Sequence, residues 1–360
     1  MTQMRAFFRV DASLEIGLGH IHRCLAIAVA LSNEGVNCSF ISRNLEGFPK
    51  DLIKSKGINL ELISIPDLSS KNNNDPINFA ESEWSYDATA TKNIIKNACD
   101  FLIVDHYQID HLWEKELKDF TKQIVVIDDL ANRKHDCDFL IDQNLGTSID
   151  DYKNLVSKHT KLFIGPKYAL LRPEFKKYRE YSLKRRQNAS VKNILISLGG
   201  TDKSNFIEKI LSSLKRIQTK KFSKIDVVLG RGNNRMDHLK EVYKDLPFVI
   251  NFYENLNNIA EKMSESDLII GAGGISSWER CSLGIPSIIF ALAENQRKGA
   301  SALEKEKCSI LINKDEGFDG DLVTAFNYYS NKSNLTKSIN QCKNICDGNG
   351  VENIIKAIFV

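Results

Sequence analysis

No stretch of the 360-residue chain approaches the roughly 20 consecutive apolar residues of a membrane-spanning helix. Charge of one sign is also lacking. Lys and Arg number 49 against 46 Asp and Glu, and the net +3 argues against a broad nucleic-acid or membrane footprint, although local basic segments exist. Met1-Thr2-Gln3-Met4-Arg5 leads straight into a short apolar segment, so no secretory leader and a cytoplasmic location are expected. The eight cysteines, at 24, 38, 99, 137, 281, 308, 342 and 346, show no ligand pairs at zinc spacing. Cys342 and Cys346 share a helix face, and the chain is large enough not to need disulfide staples. Reduced buried thiols and metal independence are the expectation.

What is present describes an ordinary globular protein: 42% hydrophobic and 26% charged residues, in a length that usually divides into about two domains. Apolar strand-like segments alternate with helical patterns through the first half. They include Ala6-Phe7-Phe8, 36–41, 58–65, Phe101-Leu102-Ile103-Val104-Asp105, 123–128, 139–141 and 162–164. A polar loop is expected over 67–75, and a helix from Asp75-Pro76 to Ala98. Residues 168–190 break the rhythm with Arg172-Pro173 and a basic run, either a solvated face or a contact to an acidic ligand. They serve as the expected linker between a first domain, 1–167, and a second, 191–360. In the second the alternation restarts, with turns at Gly199-Gly200-Thr201-Asp202, at Gly230-Arg231-Gly232 and after Leu268-Ile269-Ile270. Apolar strands that end in polar residues predict α/β domains with parallel sheets covered on both faces, where ligands gather at the strand C-termini.

Two glycine turns stand at such strand ends. The first runs Arg9-Val10-Asp11-Ala12-Ser13-Leu14-Glu15-Ile16-Gly17-Leu18-Gly19-His20-Ile21-His22-Arg23-Cys24. Gly17 and Gly19 permit positive φ or close approach of a ligand, and the following helix presents unpaired N–H groups. A pair of glycines can be only a turn, and G-x-G-x-x-G is absent. Arg9, Asp11, His20, His22 and Arg23 around one turn are more titratable groups than a turn needs.

The second is Gly271-Ala272-Gly273-Gly274-Ile275-Ser276-Ser277-Trp278-Glu279-Arg280. Strand, glycines, small hydroxyls and a helix start suit a phosphate, and the absence of a Walker lysine argues against ATP hydrolysis. Glu279 suits a ribose diol or, equally, the helix dipole. Asn295 and Gln296 suit sugar hydroxyls or acetamido groups, or cap the next helix.

Two such domains resemble the GT-B fold, two Rossmann-like sheets facing across a cleft. The segments Arg9-Val10-Asp11-Ala12-Ser13, Gly17-Leu18-Gly19-His20, Gly271-Ala272-Gly273-Gly274, Glu279-Arg280, Gly284-Ile285-Pro286 and Glu294-Asn295-Gln296 resemble the PseG (SpsG-type) family of UDP-sugar hydrolases of pseudaminic acid biosynthesis. The resemblance implies a UDP-2,4-diacetamido-2,4,6-trideoxy-β-L-altropyranose hydrolase without a cofactor. It implies His20 as catalytic base, Tyr107 as an active-site tyrosine, Gly273-Gly274-Ile275-Ser276 on the diphosphate, Glu279 on the ribose and Asn295, with Gln296, on the sugar or phosphate. Arg9, Asp11, Gly17 and Gly19 complete the expected substrate site. Asp11 is expected either to orient the His20 ring or to bind a sugar hydroxyl. His22 departs from the family pattern, as a second imidazole near the site or a surface substitution. A nucleotide-sugar substrate and a monomer are expected. A MurG-like transferase using a UDP-sugar donor is the alternative.

Overall fold

The computed structural model describes residues 3–13, 15–64, 81–188, 190–199, 205–216, 223–230, 235–246, 248–254, 256, 258–312 and 317–359, without the side chains of 81–83. The loop expected over 67–75, the helix start at Asp75-Pro76 and most of the turns at 200–202 and 231–232 lie outside them. Among the described residues no helix is long and apolar enough to cross a membrane.

The chain forms two compact units, residues 1–172 with 350–360, and residues 173–349. The first holds β1 (Arg5–Val10), β2 (Asn37–Arg43), β3 (Asn59–Ile63), β4 (Cys99–Asp105), β5 (Thr121–Ile127), β6 (Phe139–Asp142) and β7 (Lys161–Ile164). They form one parallel sheet in the order β3-β2-β1-β4-β5-β6-β7. The second holds β8 (Asn193–Ser197), β9 (Lys224–Leu229), β10 (Val249–Glu254), β11 (Leu268–Ala272), β12 (Ser287–Phe290) and β13 (Ser309–Leu311), all parallel, in the order β10-β9-β8-β11-β12-β13. Both are α/β units with helices interleaved between the strands. β13 has no counterpart among the strand-like segments expected from the sequence.

Each sheet reverses its strand order once, between β1 and β4 and between β8 and β11. Such a reversal opens a crevice beyond the strand C-termini. Register fixes what enters it: Val10 pairs with Asp105 and Gly271 with Ser197. Both glycine turns therefore leave their sheets at the two reversal points.

Two expectations about domain limits differ from the structure. Within the expected linker, Pro173–Arg185 is a helix of the second unit. It is anchored because Phe175 is buried and Ser182 Oγ donates to Leu283 O. Arg179 also donates to the carbonyls of Ser282, Lys343 and Cys346, at the ends of the helices Ser276–Ser282 and Lys332–Ile345. The final helix, Gly350–Ile358, expected in the second domain, belongs to the first unit. Its Val351, Ile354, Ile355 and Ile358, at helical spacing, join the core that holds Phe8, Ile21 and Phe40. Gly350 admits the backbone of Ala169, where an added Cβ would lie 2.3 Å from the Ala169 carbonyl oxygen.

Candidate active site

The β1 turn is shaped by local chemistry. Ser13 Oγ accepts from the N–H groups of Glu15 and Ile16, and Gly17 N donates to Ser13 O. Gly17 adopts φ +82°, a left-handed conformation that glycine takes without strain. Gly19 instead opens the helix Gly19–Asn33, which has no side-chain cap and no acidic residue in its first turn. Its first N–H groups have no intrahelical acceptor.

His20 stands in that first turn, its side chain 9% exposed, and meets the end of β4. Its Nδ1 lies 2.6 Å from Asp105 Oδ1. Arg23, one turn further on, donates through Nε and Nη2 to both Asp105 oxygens at 2.6 Å and through Nη1 to Asp129 Oδ2 at 2.7 Å. Burial alone would raise the Asp105 carboxyl, but Arg23 and His20 reverse that and hold it well below the usual range. An ionised carboxylate only accepts, and Asp105 at 2.6 Å lies nearer to Nδ1 than the donor Arg23 Nη2 at 3.1 Å, so the His20 proton is assigned to Nδ1 and the lone pair to Nε2. Tyr107 packs edge-on against the His20 ring, centroids 4.7 Å apart, and donates to Asp129 Oδ2 at 3.3 Å. Burial, then the Asp129 charge, push its phenol above the ordinary range.

A second charged layer lies beneath. Arg9 is fully buried and donates to Asp87 and to Asp11. Burial disfavours its charge, yet these two carboxylates hold it above the ordinary arginine range. Asp11 also accepts from Arg43 N at 2.9 Å, from Arg43 Nε and from Ser42 Oγ at 3.2 Å. His106 accepts at Nδ1 from Gln108 N, so its Nε2 proton points to Asp11, 2.9 Å away. Burial lowers the His106 imidazole below its ordinary value, against the pull of Asp11. Trp113 Nε1 closes the layer on Asp87.

Of the two roles expected of Asp11, the structure does not give it the His20 ring: Asp105 contacts the ring, and Asp11 is engaged by Arg9, Arg43 and His106. Arg9 and Asp11 are buried supports of the turn, not groups at its surface. His22, two residues on from His20 and so roughly 200° around the helix, is on another face. Asp129 was visible only as a polar strand end; its Oδ1 is buried and has no hydrogen-bond partner among the described residues.

In the second unit, β11 delivers the glycines to the helix Ser276–Ser282, which also lacks a side-chain cap. Gly271 packs so closely that a Cβ would lie 2.8 Å from Ser197 O and 2.9 Å from Arg280 Nη1. Arg280 is buried and ties the turn together, donating to Ala272 O, Ser276 Oγ and Ser277 Oγ. Gly273 backs onto Ala300 and Gly274 onto the Gln296 side chain, whose Oε1 accepts from Leu292 N. Gly273, Gly274 and Gln296 are thus neighbours, with Ile275 and Ser276 entering the helix beside them. Glu279 is half-buried on that helix, and Asn295 is exposed on the short turn Glu294–Gln296.

Residues 194–349 match the glycosyltransferase family 28 C-terminal domain. The chain is 30% identical over 301 residues to an uncharacterized protein of Methanocaldococcus jannaschii, covering 82% of this chain and 57% of that one, so it spans little more than half of that relative. It is 29% identical to the UDP-2,4-diacetamido-2,4,6-trideoxy-beta-L-altropyranose hydrolase of Campylobacter jejuni, over 84% of this chain and 97% of that one. Among solved structures, MurG of Acinetobacter baumannii superposes with a TM-score of 0.71 at 16% identity, covering 99% of both chains. The chain carries the GT-B fold, and its residues 194–349 resemble the glycosyltransferase family 28 C-terminal domain.

Proposed function

We propose that the protein is an enzyme acting on a UDP-sugar, that it hydrolyses UDP-2,4-diacetamido-2,4,6-trideoxy-β-L-altropyranose, and that His20 activates the water. The observation that carries this reading is the Asp105 contact to His20 Nδ1, which leaves Nε2 as the basic nitrogen. A water oxygen attacks the anomeric carbon, its proton passes to His20 Nε2, and the bond from that carbon to the nucleotide oxygen breaks. General-base help of this kind is worth about 10²–10⁴-fold. UDP departs as a stabilised anion and needs no strong acid. Gly273, Gly274, Ile275 and Ser276 receive its diphosphate at the start of an uncapped helix, and Glu279 accepts from the ribose hydroxyls. Gln296, held beside Gly274, and Asn295 meet the sugar or phosphate. The similarity to the Campylobacter hydrolase over 97% of that protein supports the substrate. Arg23 and Asp129 keep Asp105 and Tyr107 in place around the imidazole.

The family 28 match favours a second reading, transfer of the sugar to an acceptor. Turnover in ¹⁸O-water without acceptor separates the two. Hydrolysis is expected to yield free sugar carrying ¹⁸O at the anomeric carbon, unlabelled UDP and an inverted nascent anomer. Label in UDP contradicts attack at that carbon, and no turnover until an acceptor is added establishes the transferase.

A further inference from the structure

Three cysteines distant in sequence meet in the second unit. Cys281 comes from the helix Ser276–Ser282, Cys308 immediately precedes β13, and Cys342 lies on the helix Lys332–Ile345. Their Sγ atoms all lie within 4.8 Å of one another, and all three residues are buried. Metal–thiolate bonds of about 2.3 Å put the sulfurs of a trigonal site roughly 4 Å apart, so a small contraction closes this triangle on one ion. Spacing in the sequence could not reveal it, because each thiol comes from a different element.

Two buried guanidiniums interact with Cys342. Arg186 and Arg280 are buried, each with an Nε that has no hydrogen-bond partner among the described residues. Arg186 donates to Ser182 Oγ and to the carbonyls of Ser182, Ser264 and Ser266; Arg280 donates to two serine hydroxyls and a carbonyl. These acceptors are neutral. Burial pulls the two guanidiniums down to about 9 and about 10, and Cys342 is among the groups that oppose it for both. Two buried cations with neutral acceptors are stabilised by negative charge on the sulfurs.

We propose that Cys281, Cys308 and Cys342 form a binding site for one soft monovalent cation of the Cu(I) type. Three thiols are offered, and no fourth His, Cys, Asp or Glu joins the group among the described residues. Structural zinc takes four ligands, whereas soft thiolate donors suit Cu(I). Three thiolates around one monovalent cation carry −2, which the two guanidiniums offset. Loading releases the three thiol protons and changes no oxidation state. It replaces the weak contacts of the Cys342 thiol with Ile285 O and Cys308 O, both 3.5 Å long. The ion braces the helix that follows the Gly273-Gly274 turn against β13 and the helix Lys332–Ile345. This inference is independent of the proposed reaction.

The test is an anaerobic titration of the reduced full chain with Cu(I) against a chromogenic Cu(I) chelator. One equivalent is expected to leave the chelator, with three sulfur neighbours by X-ray absorption and a higher thermal midpoint. Cys308→Ser and Cys342→Ser, checked for folding by near-ultraviolet circular dichroism, are expected to retain Cu(I) at least 10-fold more weakly, while Cys99→Ser in the first unit retains it as wild type does. The wild-type titration decides the matter even where a variant fails to fold. Folded wild type that takes no Cu(I) from the chelator overturns the proposal. So does copper with two sulfur neighbours, or retention that survives both serine variants in folded form.

Discussion

At the β1 turn, four carboxylates (Asp11, Asp87, Asp105 and Asp129) interlock with the guanidiniums of Arg9, Arg23 and Arg43. At the β11 turn, one buried guanidinium, Arg280, is held by two serine hydroxyls and a carbonyl. The two turns occupy equivalent places in their sheets, so the difference lies in chemistry, not topology. A dense network of ionised groups fixes one imidazole's tautomer and orientation, as proton transfer requires. A turn of glycines, hydroxyls and a helix start suits an anion. The glycines differ in the same way. Gly17 has open space around its Cβ position but a left-handed backbone, whereas Gly271 has no room for a Cβ.

The strongest way to break the contrast after removing His20 itself is Asp105→Ala. It takes the charge partner from buried Arg23 and the anchor from His20, and is expected to cost about 3–5 kcal/mol in denaturant unfolding of the first unit. A loss under 1 kcal/mol would mean the network is ornamental. Gly271→Ala is expected to cost about 1–3 kcal/mol through overpacking against Ser197 O, and Gly17→Ala about 1 kcal/mol through backbone strain. The reverse order in thermal unfolding would contradict the distinction between them.

Acid sharpens it further. Asp11, Asp105 and Asp128 are buried, which alone would raise them; Arg9, Arg23 and Arg133 respectively are the largest opposing influences and hold all three below the ordinary value. Their stabilisation is present above the unfolded value of about 3.9 and is lost as pH falls through the folded values. Asp142, raised to about 6 by burial, acts in the opposite sense: its contribution is present below about 4 and fades as pH rises through 6. Amides of β1 and β4 are therefore expected to lose hydrogen-exchange protection below about pH 4, before those of β8 and β11. Earlier loss in the second unit would refute this.

Much of this was legible in the residues. Parallel strands buried on both faces read as apolar runs ending in polar residues, so the two sheets and both turns could be located from sequence. The partner of His20 could not. Asp11 and Asp105 both end strands beside it, and the choice depends on the pairing of Val10 with Asp105 across 95 residues of chain. Asp105 did carry a signal, an acid closing the run Phe101-Leu102-Ile103-Val104, but nothing local tied it to an imidazole 85 residues earlier. Residues 351–359 read as a short apolar helix, yet its apolar residues do not name the core that receives them. Gly350 and its fit against Ala169 decide that.

The central claim is that His20, held by Asp105, activates water. It is tested most directly by UDP release from UDP-2,4-diacetamido-2,4,6-trideoxy-β-L-altropyranose without acceptor, by wild type and by folded His20→Ala. The account predicts UDP and free sugar in equal amounts from wild type, with a rate at least about 10²-fold lower in the variant. A variant that turns over like wild type would contradict it.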